Sequence, residues 1–269
     1  MNNRNIQNIA IIGAGTIGSS WAALFLAHGY HVVVSDPAPD AEANTRALID
    51  SAWETLRELG KVRDESFLGN LRFEPDLLKA LENVDFVQEN APEREDFKIS
   101  LFAKMDAVLP EHVIISSSSS GLLVSRMQSQ CRYPQRCVLG HPFNPPHVIP
   151  LVEVVGGEQT SEETIERAID FYRAIGKHPI RLNKEITGHI ANRLQAAVWR
   201  EVMHLVNENV ASVQDIDAAM SKGPGLRWAI FGPQMVFDLA GGRAGRGGGR
   251  CRSLRALPSA SWHLSRSLP

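Results

Sequence analysis

His141 and Glu153 are the two residues of this chain whose types and spacing most invite chemistry. His141 stands in Gly140-His141-Pro142-Phe143-Asn144-Pro145-Pro146, and Glu153 is a single carboxylate within Leu151-Val152-Glu153-Val154-Val155. An imidazole titrates near neutral pH, which suits a general base that takes a hydroxyl proton. A glutamate with apolar neighbours on both sides is costly to bury unless paired, so it predicts a partner close by. Any one of nine histidines taken alone is better read as a satisfied surface residue; the glutamate and the motif reverse that for His141.

A second set of residues speaks for a cofactor. Ile9-Ala10-Ile11-Ile12 leads into Gly13-Ala14-Gly15-Thr16-Ile17-Gly18, a helical stretch from Ser19 to His28, and Val32-Val33-Val34-Ser35-Asp36. Strand, glycine turn, helix, strand and acid in that order predict a dinucleotide-binding βαβ unit. Gly13 permits the tight turn, Gly15 lets the backbone approach a pyrophosphate, and Gly18 lets the helix pack closely, with the helix N-terminus favouring the anion. Asp36 is placed to accept hydrogen bonds from the adenosine ribose and to repel a 2′-phosphate, which predicts NAD rather than NADP. A hydride acceptor together with a histidine base is the equipment for oxidising a secondary alcohol.

The elements that must position these groups follow from the alternating pattern. Asp85 to Val87, Val113 to Ile115, Cys137 to Leu139 and Leu151 to Val155 read as further strands, and Glu93 to Val108 as a helix stopped by Pro110. This is the pattern of a doubly wound α/β sheet, with His141 just beyond a strand on the carboxyl edge where such sheets bind ligands. After Lys184 the period changes: Gly188 to Asn209 carries Ile190, Leu194, Val198, Val202 and Leu205 at helical spacing with no strand between. The expectation is a dinucleotide-binding domain over 1–184 and a helical domain over 185–240. Residues 241–269, rich in Gly, Arg and Ser, are expected to be a disordered tail, either a flexible basic arm or, the favoured reading, what a reading-frame shift in a GC-rich gene would produce.

Composition removes several classes of function. The chain has 269 residues, 43% of them apolar, and no apolar run near the ~20 residues that span a bilayer. Three cysteines without CxxC or Cys/His spacing predict a reducing, cytoplasmic compartment and no structural metal. The net charge of −2 includes six arginines beyond residue 240 with no acid beside them, so the body is more acidic still. That argues against nucleic acid as a partner and, with the absence of an apolar leader, against a membrane. His28, His112 and His178 fall at helix ends or in loops and receive no role.

With His-Pro-Phe-Asn-Pro-Pro and Leu-Val-Glu-Val-Val in view, residues 5 to 240 resemble the 3-hydroxyacyl-CoA dehydrogenase family, in the branch that includes the L-carnitine and gulonate 3-dehydrogenases. The resemblance implies that His141 is the catalytic base and that Glu153 orients it. It implies that Ser119 and Asn192 bind the substrate oxygen, and that Glu93, Lys98 and Asn144 contact the nicotinamide half of NAD. The serine run Ser116 to Ser120 can be registered one residue either way, so Ser118 or Ser120 could stand for Ser119. By their residues alone these serines read as a polar loop and Asn192 as a helix cap. The family also implies a homodimer, and a helical domain continuing well past residue 240, whose loss would leave an NAD-binding product with impaired catalysis.

The substrate is narrowed by charge. Acyl-CoA members hold the CoA phosphates with a helix bearing Lys and Ser after the second strand, whereas Glu42 to Leu59 here carries Asp50, Glu54 and Glu58 against Arg46 and Arg57, with Lys61 and Arg63 just beyond it as the opposing observation. A small free hydroxy acid or betaine is therefore favoured. Gln88-Glu89-Asn90-Ala91-Pro92-Glu93-Arg94 and Gly223-Pro224-Gly225-Leu226-Arg227-Trp228 look most like the L-carnitine branch, which implies oxidation of the 3-hydroxyl of L-carnitine to 3-dehydrocarnitine. L-gulonate and 3-hydroxyacyl-CoA are the alternatives. Phe143, Trp199, Trp228 and Phe231 are available to a trimethylammonium through cation–π attraction, and Arg227 to a carboxylate, though the same aromatics serve equally as core.

Overall fold

The computed structural model describes residues 6–63 and 65–240; the expected disordered tail lies outside them. The chain divides into two compact units between Leu194 and Gln195. The first holds an eight-stranded sheet of β1 (Asn8–Ile12), β2 (His31–Ser35), β3 (Leu71–Phe73), β4 (Phe86–Glu89), β5 (Ile114–Ser117), β6 (Cys137–Pro142), β7 (Leu151–Gly156) and β8 (His178–Arg181). Their order is β3-β2-β1-β4-β5-β6-β7-β8. All neighbours are parallel except β6 and β7, which run antiparallel with His141 opposite Glu153.

Burial on both faces explains the apolar strands. Ile9 and Ile11 of β1 point into one core with Trp21, Phe25, Phe86 and Tyr172, while Ala10 and Ile12 point into the other with Val87, Phe102 and Met105. The helices are α1 (Thr16–Ala27), α2 (Ala41–Glu58), α3 (Leu77–Ala80), α4 (Glu95–Val108), α5 (Val124–Met127) and α6 (Glu162–Ala174). Then come α7 (Ala191–Asn207), α8 (Val213–Lys222), α9 (Pro224–Trp228) and α10 (Pro233–Ala240). In the second unit α8 is capped by Ser212, whose hydroxyl accepts the Asp215 N–H at 3.1 Å, and it buries Ile216. The doubly wound α/β sheet followed by helices is the architecture read from the sequence.

Several boundaries moved, for identifiable reasons. β5 runs on through Ser116 and Ser117, so two of the five serines are buried strand rather than loop. Its hydroxyls find partners there, which makes a polar strand end tolerable. His178 is the first residue of β8, not a loop residue. The helix expected from Gly188 begins at Ala191, because Gly188 and His189 both take positive φ, +76° and +50°, and turn the chain before the first helical residue. Among the described residues no helix is long and apolar enough to cross a membrane, and no cluster of three or more His, Cys, Asp or Glu is placed to hold a metal.

Candidate active site

The glycine turn is a matter of space. Gly13 has φ +96° and sends its N–H to the Ser35 carbonyl at 2.9 Å; a Cβ there would sit 2.7 Å from the Asn90 carbonyl. A Cβ on Gly18 would fall 1.9 Å from the Gly13 oxygen, so α1 packs against the turn at a distance that only glycine permits. Gly15 is different. It is exposed, and nothing lies within 4 Å of where its Cβ would be. As the N-cap of α1 it makes no side-chain cap, which leaves the first-turn N–H groups of Thr16, Ile17 and Gly18 for an anion. Asp36 closes the far end: one carboxylate oxygen accepts the Ala14 N–H and the other the Ala38 N–H, each at 2.9 Å. Each oxygen keeps a lone pair for a ribose hydroxyl. This open cradle with an anchored acid fits a dinucleotide.

Next along the carboxyl edge, β4 and β5 end on a buried polar network. Register places Ile12 beside Glu89 and Glu89 beside Ser117. Glu89 is fully buried and accepts from Lys98 Nζ at 2.6 Å, from the Ala91 N–H at 2.6 Å and from Ser117 Oγ at 2.6 Å. Lys98 also donates to the Ala91 carbonyl at 3.0 Å and stands 3.7 Å from Glu93. The Lys98 ammonium is thus buried between Glu89 and the chain after β4, with Glu93 at its open side. Glu93 accepts from Ser119 Oγ at 2.6 Å and from the N–H groups of Ser120 and Gly121 at 2.9 and 3.1 Å. The Ser119 hydroxyl thus donates its hydrogen bond to Glu93, while its oxygen accepts the Leu122 N–H at 3.0 Å. Of the alternative serines, Ser118 bonds to Asn90 Oδ1, and Ser120 is exposed.

His141 and Glu153 meet across β6 and β7. The His141 Nδ1–H donates to Glu153 Oε2 at 2.9 Å, because a carboxylate can only accept, so Nε2 carries the free lone pair of a base. The other carboxylate oxygen accepts the N–H groups of Ile190 and Ala191, both at 2.9 Å, where α7 starts. Burial pushes the Glu153 carboxyl up, but the His141 bond and those two N–H groups outweigh it and hold Glu153 below the ordinary carboxylate range. Glu153 therefore stays ionised beside the His141 ring. Phe143 stands edge-on to the His141 ring at 5.5 Å between centroids, and Asn144 is exposed in the following turn with a cis bond to Pro145. Asn192 lies one residue past the helix start and donates to the Ser120 carbonyl at 3.3 Å. Arg227 and Trp228 belong to α9, and Trp199 and Phe231 also lie in the second unit.

Three participants escaped the sequence reading. Glu89 carried no spacing signal tying it to Lys98. Gly140 is compelled by a buried phenol: its Cβ would lie 2.0 Å from Tyr172 Oη, which bonds Ser116 Oγ and Gln88 Oε1 behind the His141 strand. His189 is nearly fully buried, donates from Nε2 to the Ser119 carbonyl at 3.1 Å, and lies 5.1 Å from His141 between ring centroids.

Residues 8–186 match the 3-hydroxyacyl-CoA dehydrogenase NAD binding domain, and residues 188–251 match the 3-hydroxyacyl-CoA dehydrogenase C-terminal domain. A protein named L-carnitine dehydrogenase from Nocardiopsis dassonvillei is 53% identical over 240 residues, covering 89% of this chain and 73% of the relative. One of the same name from Streptomyces coelicolor is 48% identical over 241 residues, covering 90% and 76%. Among solved structures, 5-formyl-3-hydroxy-2-methylpyridine 4-carboxylic acid 5-dehydrogenase, described as an NAD+ dependent dismutase, superposes with a TM-score of 0.83 at 36% identity over 88% of this chain and 76% of that one. The (S)-3-hydroxybutyryl-CoA dehydrogenase of Ralstonia eutropha gives 0.75 at 28%, over 88% and 83%.

Proposed function

This chain belongs to the 3-hydroxyacyl-CoA dehydrogenase family, and from that premise we propose that it oxidises the 3-hydroxyl of L-carnitine to 3-dehydrocarnitine with NAD. The observation that carries the reaction is the buried His141–Glu153 pair, fixed by two backbone N–H groups on the opposite carboxylate oxygen. His141 Nε2 takes the hydroxyl proton. The Glu153 charge stabilises the imidazolium that results, and the paired Nδ1–H holds the ring in the tautomer a base requires. Ser119 and Asn192 orient the alcohol oxygen, Ser119 by exchanging its bond to Glu93 for one to the developing carbonyl. NAD, when bound, supplies the acceptor for the C3 hydride. Gly13, Ala14, Gly15, Thr16, Ile17, Gly18 and Asp36 would hold its adenosine and pyrophosphate, while Glu93, Lys98 and Asn144 would shape the nicotinamide end.

L-Carnitine is supported over a CoA ester by the names of the relatives and by exposed Asp50, Glu54 and Glu58 on α2, which would repel CoA phosphates. Phe143 beside the base offers an aromatic face to a trimethylammonium. We place the protein in the cytoplasm, supported by Cys131 and Cys137, which remain thiols with their sulfurs 3.9 Å apart. A homodimer is supported by the exposed Trp199, Val210, Ile230 and Phe237. NADH formation measured in parallel with L-carnitine, L-gulonate and 3-hydroxybutyryl-CoA tests the substrate. L-Carnitine should give the highest kcat/KM, and a preference for either of the others would replace it.

A further inference from the structure

His189 has no place in the reaction as described, yet it touches both sides of the site. Its backbone, left-handed at φ +50° after left-handed Gly188, makes the turn that aims the next two N–H groups at Glu153 Oε1. Its side chain reaches the other way, to the Ser119 carbonyl. A carbonyl only accepts, so Nε2 bears the proton and Nδ1 is a bare acceptor, which among the described residues has no partner. A positive φ is unusual for a residue with a side chain, and it persists where the surroundings over-determine it. Here the anchor is the buried imidazole. We propose that His189 is a positioning residue that ties the Glu153–His141 pair to the Ser119 loop, keeping the base's carboxylate and the oxygen-binding serine in one register. This rests on the reading of His141, Glu153 and Ser119 given above.

The charge state of the ring fits that role. The groups facing it are His141 on β6, Glu153 on β7, and Glu93 and the Ser119 carbonyl on the loops after β4 and β5. Burial first, aided by His141, holds His189 below the ordinary imidazole range against the opposing pull of the Ser119 carbonyl, Glu153 and Glu93. A neutral His189 adds no like charge beside His141 at the moment the latter takes up the substrate proton. A lysine or arginine there would oppose the reaction.

The test pairs two substitutions. His189→Phe keeps an aromatic ring but removes the N–H, and His189→Gln returns a donor at the same reach. His189→Phe should lower kcat by roughly 10- to 100-fold. It should also move the acid limb of the kcat/KM profile to lower pH, because a displaced Glu153 supports the imidazolium less, while NAD affinity is retained. His189→Gln should recover much of kcat and restore the limb. Unchanged kcat in His189→Phe, or equal losses in both variants with an unmoved limb, would overturn the proposal. Should His189→Phe not fold, ¹⁵N spectroscopy of the wild-type ring decides: a neutral Nε2–H tautomer at pH ~6 is expected. A Nδ1–H tautomer, or titration like an ordinary histidine, would overturn it. If the wild type prefers another alcohol, the substrate assignment fails, and the variants are assayed on that alcohol for the positioning role.

Discussion

The glycine turn and the histidine–glutamate pair occupy the same edge of one sheet, but one is built of backbone and the other of side chains drawn from distant segments. Between Gly13 and Asp36 every feature lies within a short stretch, with Gly13 and Gly18 dictated by clearance from a neighbouring carbonyl and Gly15 left open as a cradle. His141 and Glu153 are set opposite each other by an antiparallel pair of strands, then locked by N–H groups 37 and 38 residues further on. The first design fails when an atom is added. The second fails when a charge or proton is misplaced. Substitutions in the two regions should therefore separate binding from turnover.

The largest separation is expected at His141. His141→Gln should cut kcat by ~10² to 10⁴ while NAD affinity, measured by titration, stays within a few-fold of wild type. A comparable loss of both would mean that the two regions are not independent.

Glu153→Gln should cost somewhat less, and for a specific reason. The amide oxygen can still accept from Ile190 and Ala191, but the amide NH2 would then face His141 Nδ1, driving the proton to Nε2 and removing the base's lone pair. A loss of about 10²-fold in kcat is expected. Stability also carries a sign. The folded carboxyl lies below its unfolded value, so its contribution is present above the unfolded pKa and is lost as pH falls through the folded one. The melting temperature of Glu153→Gln should accordingly depend less on pH in the acid range than that of wild type.

The glycines sharpen the contrast from the other side. Gly18→Ala places a methyl 1.9 Å from the Gly13 oxygen and should destabilise the fold by about 1–3 kcal/mol, read by denaturant unfolding. Gly15→Ala meets nothing and should leave stability within about 0.5 kcal/mol, but weaken NAD by filling the cradle. The smallest effect belongs to Asp36→Ala. It should loosen NAD several-fold and narrow the preference over NADP, and a wild type that favours NADPH would contradict the role given to this carboxylate.

What could be read in advance follows the same division. The turn was legible because its requirements are local, and β1, β2, β6 and β7 because strands buried on both faces must be apolar. β3 was missed since Leu71-Arg72-Phe73 is too short and mixed to stand out. β8 was missed because it carries Pro179 at the sheet edge, where no inner neighbour needs its N–H. His141 and Glu153 could be paired because a lone acid in an apolar strand demands a partner. Glu89 made the same demand at the end of β4, but its lysine came from α4, at no spacing that marks a pair. His189 was hidden by the helical period starting beside it; the preceding glycine, a sign of positive φ, was the signal available.

The central claim is that this site removes a proton from the C3 hydroxyl of L-carnitine and a hydride from the same carbon. L-Carnitine deuterated at C3, incubated with the protein and NAD, tests this directly by mass analysis of the nicotinamide product. The account predicts NADH carrying one deuterium on the nicotinamide ring. NADH formed from that substrate without deuterium, or NAD bound tightly with no NADH formed, would contradict it.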